Sequence, residues 1–118
     1  MFRCMCRSKI KGGKVTDKNI YYEGSITLDK DILDASGILP GEMVYVLNIN
    51  NGARVSTYTI EGERGSGVIC LNGPSARYFE KGDEVIILGV SFVSEEELGK
   101  GWKLKITELD GNNRVKKG

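Results

Sequence analysis

The chain has 118 residues and a mass of 13.0 kDa, enough for one domain around a single buried core. Its 17 basic and 16 acidic residues leave a formal net charge of +1, without the basic excess or stripe of a nucleic-acid surface. The absence of histidine removes the commonest general base and transition-metal ligand, and with them Ser-His-Asp and Cys-His catalysis within the chain.

Along the chain, residues 2–10 alternate loosely, with Cys4 and Cys6 on one strand face as small core residues. These two cysteines and the distant Cys70 form neither a disulfide framework nor a zinc pair. Residues 14–16 and 20–22 read as one strand interrupted by a polar bend at Asp17-Lys18-Asn19, and residues 25–28 as another short strand. Asp29 can cap a helix over 31–36 that Gly37 stops. Residues 43–50 form a strand leading into Asn51-Gly52, a type I′ hairpin signal because both residues tolerate positive φ. On the return strand, 54–60, Arg54, Ser56, Tyr58 and Ile60 share one face and Val55, Thr57 and Thr59 the other. Residues 68–71 read as a buried strand, and Gly73-Pro74-Ser75 opens a short helix that Gly82 ends. Residues 84–93 are the longest β run, Ser94-Glu95-Glu96-Glu97 a capped turn, and residues 102–108 alternate again. The basic tail of Arg114, Lys116 and Lys117 reads as a frayed, solvated terminus. No apolar run approaches the ~20 residues that span a bilayer, and the first seven residues lack the apolar stretch of a signal peptide. A cytoplasmic protein without a membrane partner is therefore expected.

One internal echo stands out. Gly41-Glu42-Met43-Val44-Tyr45-Val46-Leu47 and Gly82-Asp83-Glu84-Val85-Ile86-Ile87-Leu88 share the pattern glycine, acid, any, valine, any, β-branched, leucine. Each follows a short helical segment. Two copies are too few for a solenoid; they suit a closed, pseudo-two-fold barrel, which also removes exposed sheet edges. Glycine-acid pairs are also ordinary turn residues, so two unrelated turns are the bland alternative.

Self-processing chemistry can sit at Tyr22-Glu23-Gly24-Ser25. A serine hydroxyl can attack the preceding carbonyl, and glycine there leaves the approach open. The resulting ester can undergo β-elimination, leaving dehydroalanine that hydrolyses to a pyruvoyl cap. Gly-Ser alone is an ordinary flexible turn.

Colinear segments give that dipeptide its context: residues 1–9, Lys14-Val15-Thr16, Tyr22-Glu23-Gly24-Ser25, Leu33-Asp34-Ala35-Ser36-Gly37-Ile38-Leu39, Asn51-Gly52-Ala53-Arg54, Ser56-Thr57-Tyr58, Glu63-Arg64-Gly65-Ser66-Gly67, Leu71-Asn72-Gly73 and residues 82–87. In this order they resemble the pyruvoyl-dependent aspartate 1-decarboxylases over nearly the whole chain. The resemblance implies a mainly β fold, a double-psi six-stranded β-barrel with short helices. It implies one domain, 1–118, that cuts itself into 1–24 (the β chain) and 25–118 (the α chain), and a homotetramer with active sites between subunits. The implied reaction takes L-aspartate to β-alanine and CO₂ for pantothenate and coenzyme A synthesis. The implied cofactor is a covalent pyruvoyl group made from Ser25, with no metal and no pyridoxal phosphate. A maturation factor is a candidate partner; nucleic acid and membrane are not.

Residue by residue, the resemblance implies cleavage between Gly24 and Ser25, assisted by Thr57, and a proton donated by Tyr58. Lys9 and Arg54 would bind the substrate carboxylates, and Thr57, Asn72, Gly73, Pro74 and Ser75 would contact or shape the site. The chemistry is coherent. A ketone that forms a Schiff base with the substrate amine provides the electron sink for CO₂ loss. A phenol can deliver the one proton required, and arginine forks the carboxylate that stays. Two departures from the family pattern are Lys11, where histidine is common, and Pro74-Ser75, where two alanines are frequent; the proline removes a backbone donor. On pattern alone, Arg54 and Lys9 also read as surface charge, Tyr58 as a packing aromatic, Thr57 as a β-former, and Asn72-Gly73-Pro74 as a turn. Two non-enzymatic readings compete: a swapped-hairpin barrel that binds DNA as a dimer, which needs a basic face, and a barrel serving only as a recognition module.

Overall fold

The computed structural model describes residues 1–117. Eight strands and two short helices follow in the order β1 (Phe2–Lys14), β2 (Asp17–Asn19), β3 (Ser25–Asp29), α1 (Lys30–Ser36), β4 (Met43–Asn48), β5 (Arg54–Gly62), β6 (Ile69–Asn72), β7 (Glu84–Ser94), α2 (Glu95–Leu98) and β8 (Lys105–Glu108), with a 3₁₀ turn, Pro74–Tyr78, after β6. The sheet order is β2-β6-β3-β5-β4-β7-β1-β8.

That order closes on itself. Strands β1 and β2 are two parts of one stretch of chain; Val15 donates to the Asp83 carbonyl and Thr16 to that of Ile69. The stretch thus joins β7 on one side to β6 on the other, and β6, β3, β5, β4 and β7 complete the ring. The result is a small six-stranded barrel, with β8 added outside β1. Alternation fills it: Ile26 and Leu28 of β3, Val44 and Val46 of β4, Ile69 and Leu71 of β6, and Val85 and Ile87 of β7 are buried in one core.

The sequence echo lies on a pseudo-two-fold axis. Strands β4 and β7 pair antiparallel with Val46 opposite Ile87, and Tyr45–Leu88 and Leu47–Ile86 as mirror-related pairs. Across the barrel, Leu28 faces Ile69, again 41 residues apart. Gly41 and Gly82, which open the two copies, both turn through positive φ (87° and 90°).

Several local expectations change. The bend expected at Asp17-Lys18-Asn19 is itself β2, because its backbone pairs with β6; the residues beyond it form a turn. At the β4–β5 connection only Gly52 has positive φ. The Asn51 side chain instead accepts from the Ala53 N–H, and the loop closes through Asn48, so this is no type I′ turn. Cys4 is exposed and Cys6 half-buried, because β1 runs past the core at its start. Arg114 is not frayed: its guanidinium donates to the Gly65 carbonyl and lies 3.8 Å from Asp29.

Asp29 explains that anchoring. Its buried carboxylate caps α1 through the Asp31 N–H and also accepts from the N–H groups of Gly65 and Gly67. Burial opposes the charge, but these three donors and Arg114 prevail and hold the carboxyl below its usual range. One side chain therefore ties α1, the 62–68 loop and the C-terminal segment together.

Candidate active site

Ser25 opens β3 and is fully buried. On the β3–β6 ladder it faces Asn72, and Thr27 faces Cys70. Ile26, Leu28, Ile69 and Leu71 point into the core, so the four polar residues share the opposite, outer face of this ladder. The Asn72 amide donates to Ser25 Oγ at 2.9 Å and to Thr27 Oγ1 at 3.0 Å. Ser25 Oγ itself lies 3.4 Å from the Glu23 carbonyl.

Gly73 presses directly on Gly24. It has φ 79° and ψ −160°, a region open in practice only to glycine. A Cβ there would stand 2.6 Å from Gly24 Cα and 2.7 Å from Gly24 N. The Gly73 N–H also donates to the Asn19 carbonyl at 2.7 Å, pinning the start of the 20–24 segment. At Gly24 a Cβ would meet nothing within 4 Å, so the flank of this peptide is open to attack.

Strand β5 runs parallel to β3, with Ile26 opposite Thr59. Continued one residue back, that register sets Tyr58 beside Ser25; at Gly24 the chain bends away from the strand. Thr57 is buried on the inner face, whereas Tyr58 is half-buried and Arg54 exposed on the outer face, as the alternation predicts. The Arg54 guanidinium lies over the Tyr45 ring, 4.9 Å from its centroid. Lys9 lies on β1, opposite Leu88 and Ile106. Neither cation has a carboxylate partner among the described residues, although Lys11, its neighbour on β1, pairs with Glu108. Pro74 takes the first position of the 3₁₀ turn, and Ser75 Oγ lies 3.4 Å from the Asn72 carbonyl.

One chain does not gather all these groups. Lys9 lines a depression with Lys11, Ile86 and Glu108, and Arg54 another with Ala53 and Tyr78; neither includes Ser25.

Residues 1–116 match the family described as aspartate decarboxylase. The chain belongs to that family. It is 52% identical to the aspartate 1-decarboxylase of Thermoanaerobacter pseudethanolicus, with 97% of each chain covered. It is 51% identical to that of a Bacillus cereus strain, covering 98% of this chain and 90% of the relative, and 49% identical to that of Leptospira biflexa, covering 99% of each. Among the described residues no cluster of three or more His, Cys, Asp or Glu could hold a metal, and no helix is long and apolar enough to cross a membrane. Sequence reasoning missed Thr27, Cys70 and Tyr45 around this site. Their neighbours in space are remote in sequence, and only the pairing of strands brings them together.

Proposed function

We propose that this chain is an aspartate 1-decarboxylase that makes its own pyruvoyl group by cutting between Gly24 and Ser25. Membership of the aspartate decarboxylase family favours this reading over the DNA-binding barrel and the recognition module. The observation that carries the self-cleavage is the Asn72 amide on Ser25 Oγ, beside a Gly24 against which Gly73 is packed.

The residues present fit a pyruvoyl group at position 25. Ser25 is buried among polar groups, the Gly24 carbonyl precedes it in a glycine-lined turn, and the Thr57 hydroxyl, one residue before Tyr58 on β5, makes no hydrogen bond within the described residues. It is therefore free to donate to the Gly24 carbonyl oxygen as negative charge develops there. Ser25 Oγ attacks the Gly24 carbonyl carbon, the Gly24–Ser25 amide becomes an ester, and the hydroxyl proton moves to the freed nitrogen. Loss of the Ser25 Cα proton then breaks the Cβ–Oγ bond and releases residues 1–24 as a carboxylate; the dehydroalanine left at position 25 tautomerises to an imine, which water hydrolyses to the pyruvoyl ketone with release of the former Ser25 nitrogen as ammonia.

Once formed, the pyruvoyl carbonyl supplies the electron sink for decarboxylation. Around it, Arg54 binds the carboxylate that stays, as a fork held flat by the Tyr45 ring. Lys9 attracts the substrate's negative charge, and the Tyr58 hydroxyl delivers the proton that replaces CO₂. Asn72, Gly73, Pro74 and Ser75 wall the site. Because the depressions lined by Lys9 and by Arg54 do not include Ser25, a second copy of the chain completes the site, as in a homotetramer. Exposed Phe2, Met43, Phe92 and Ile106 supply apolar surface for such contacts. The product β-alanine would feed pantothenate and coenzyme A synthesis in the cytoplasm, with or without a maturation factor.

The test is a denaturing intact-mass spectrum of protein incubated warm, alone and with cell extract, followed by assay of L-aspartate for β-alanine and CO₂. Fragments 1–24 and 25–118, the latter with a mass matching a pyruvoyl end, together with aspartate turnover, are expected. The Ser25→Ala chain stays whole and inactive; turnover of aspartate by that variant would overturn the mechanism.

A further inference from the structure

The Asn72 amide is held at both ends. On the nitrogen side its two hydrogens go to Ser25 Oγ (2.9 Å) and Thr27 Oγ1 (3.0 Å). On the oxygen side Cys70 Sγ lies 3.4 Å from Asn72 Oδ1, closer than the 4.0 Å that separates it from the Leu71 carbonyl. These groups form two cross-strand pairs, Ser25–Asn72 and Thr27–Cys70, on the outer face of one ladder. Strand register therefore sets their spacing, not loop conformation.

An amide can turn over by half a rotation, exchanging its donor and acceptor ends. Flipped, Asn72 would aim a carbonyl oxygen at Ser25 Oγ and would recruit the serine proton. Two neighbours hold the amide. The Cys70 thiol donates to its oxygen, and burial together with nearby Asp17 raises the thiol's pKa, so it stays a protonated donor and opposes the flip. The Thr27 hydroxyl, half-buried, takes the second amide hydrogen; able to donate as well as accept, it fixes the place of the amide rather than its sense. We propose that Thr27 and Cys70 are positioning residues for self-cleavage: together they lock the Asn72 amide with its N–H groups towards Ser25 Oγ.

The lock matters most in the second step of maturation. In the first step the Oγ–C bond to Gly24 forms and the C–N bond breaks. In the second, Ser25 Cα loses its proton to solvent, the Cβ–Oγ bond breaks, and its electron pair leaves on Oγ as part of the Gly24 carboxylate. A fixed N–H donor on that oxygen stabilises the departing charge. An unlocked amide spends part of its time with its oxygen there, repelling the same charge. The inference rests on the self-cleavage reading above.

The test compares Thr27→Val and Cys70→Ala with Thr27→Ser and Cys70→Ser, which keep the acceptor and the donor. Rate constants for the appearance of fragment 25–118 come from intact mass. Uncut chain is then split with hydroxylamine, which cleaves the ester but not the amide. Thermal melts verify that each variant is folded. Thr27→Val and Cys70→Ala are each expected to mature about five- to tenfold more slowly, as for one lost hydrogen bond, with ester accumulating in the uncut pool. The two serine variants should recover the wild-type rate. Wild-type rates in folded Thr27→Val and Cys70→Ala would overturn the lock while leaving self-cleavage intact. So would equal slowing in the serine variants, because it would trace the effect to packing. If wild type never cleaves, even in cell extract, the reading beneath the inference falls, and the inference with it.

Discussion

Adding one methyl group at Gly73 should stop the chain from processing itself efficiently. Two costs follow from the geometry. The residue sits at φ 79°, ψ −160°, where any Cβ carries about 1–3 kcal/mol of backbone strain. The new Cβ would also lie 2.6 Å from Gly24 Cα and 3.0 Å from the Tyr22 carbonyl oxygen. Backbone atoms have no flexible end to swing away, so the 22–24 segment must retreat by about 0.8 Å to reach ordinary contact, and a misplacement near 1 Å costs about a hundredfold in an aligned reaction. For Gly73→Ala we expect a folded chain that melts roughly 5–10 °C lower and cleaves about a hundredfold more slowly. Intact-mass time courses at matched temperature, with circular dichroism as the folding check, measure both. Cleavage at the wild-type rate with an unchanged melt would refute the claim that Gly73 positions the scissile peptide.

Three further outcomes are expected. Tyr58→Phe should cleave normally but lose about 10²- to 10⁴-fold in turnover; near-normal β-alanine formation would assign the proton to another group. Arg54→Met should leave cleavage untouched and weaken aspartate capture by roughly 10- to 100-fold in kcat/KM, the loss of a charge-assisted pair, so an unaltered kcat/KM would remove Arg54 from the site. Asp29 has a depressed pKa when folded, so its contribution is complete above its unfolded pKa and is lost as pH falls through the lower folded value. Urea unfolding at neutral pH should show Asp29→Asn less stable by about 1–3 kcal/mol, with the gap narrowing below about pH 4; a gap constant down to pH 2 would show that the carboxylate charge is not what matters.

Much of the barrel was legible in the sequence, because its signals are local. The two glycine-acid-valine copies announced the symmetry that Val46–Ile87 pairing realises. Alternation over β5 separated Thr57 from Arg54 and Tyr58 correctly, and Asp29 and Gly37 bound α1 as expected. The failures have one physical source. Strand β2 looks like a bend because its polar residues take their strand character from β6, more than fifty residues away. Arg114 looks frayed because its partners at Gly65 and Asp29 are equally remote. For the site, the family pattern pointed to Ser25, Asn72 and Gly73. It did not reveal that Gly73 packs on Gly24, or that Thr27 and Cys70 hold the Asn72 amide, because those relations come from register.

Closure of the ring by β1 and β2 has a consequence for the processed protein. A cut behind Gly24 would place one entire wall of the barrel on a separate peptide, attached to β6, β7 and β8 only through ladder hydrogen bonds and side-chain packing. The intact precursor folds as a unimolecular event. The cut protein would have to reassemble by fragment complementation, so its recovery from denaturant would depend on concentration. Maturation would then act as a ratchet: the precursor could refold after dilution, whereas the mature enzyme, once melted and dispersed, would lose its small fragment and with it the barrel.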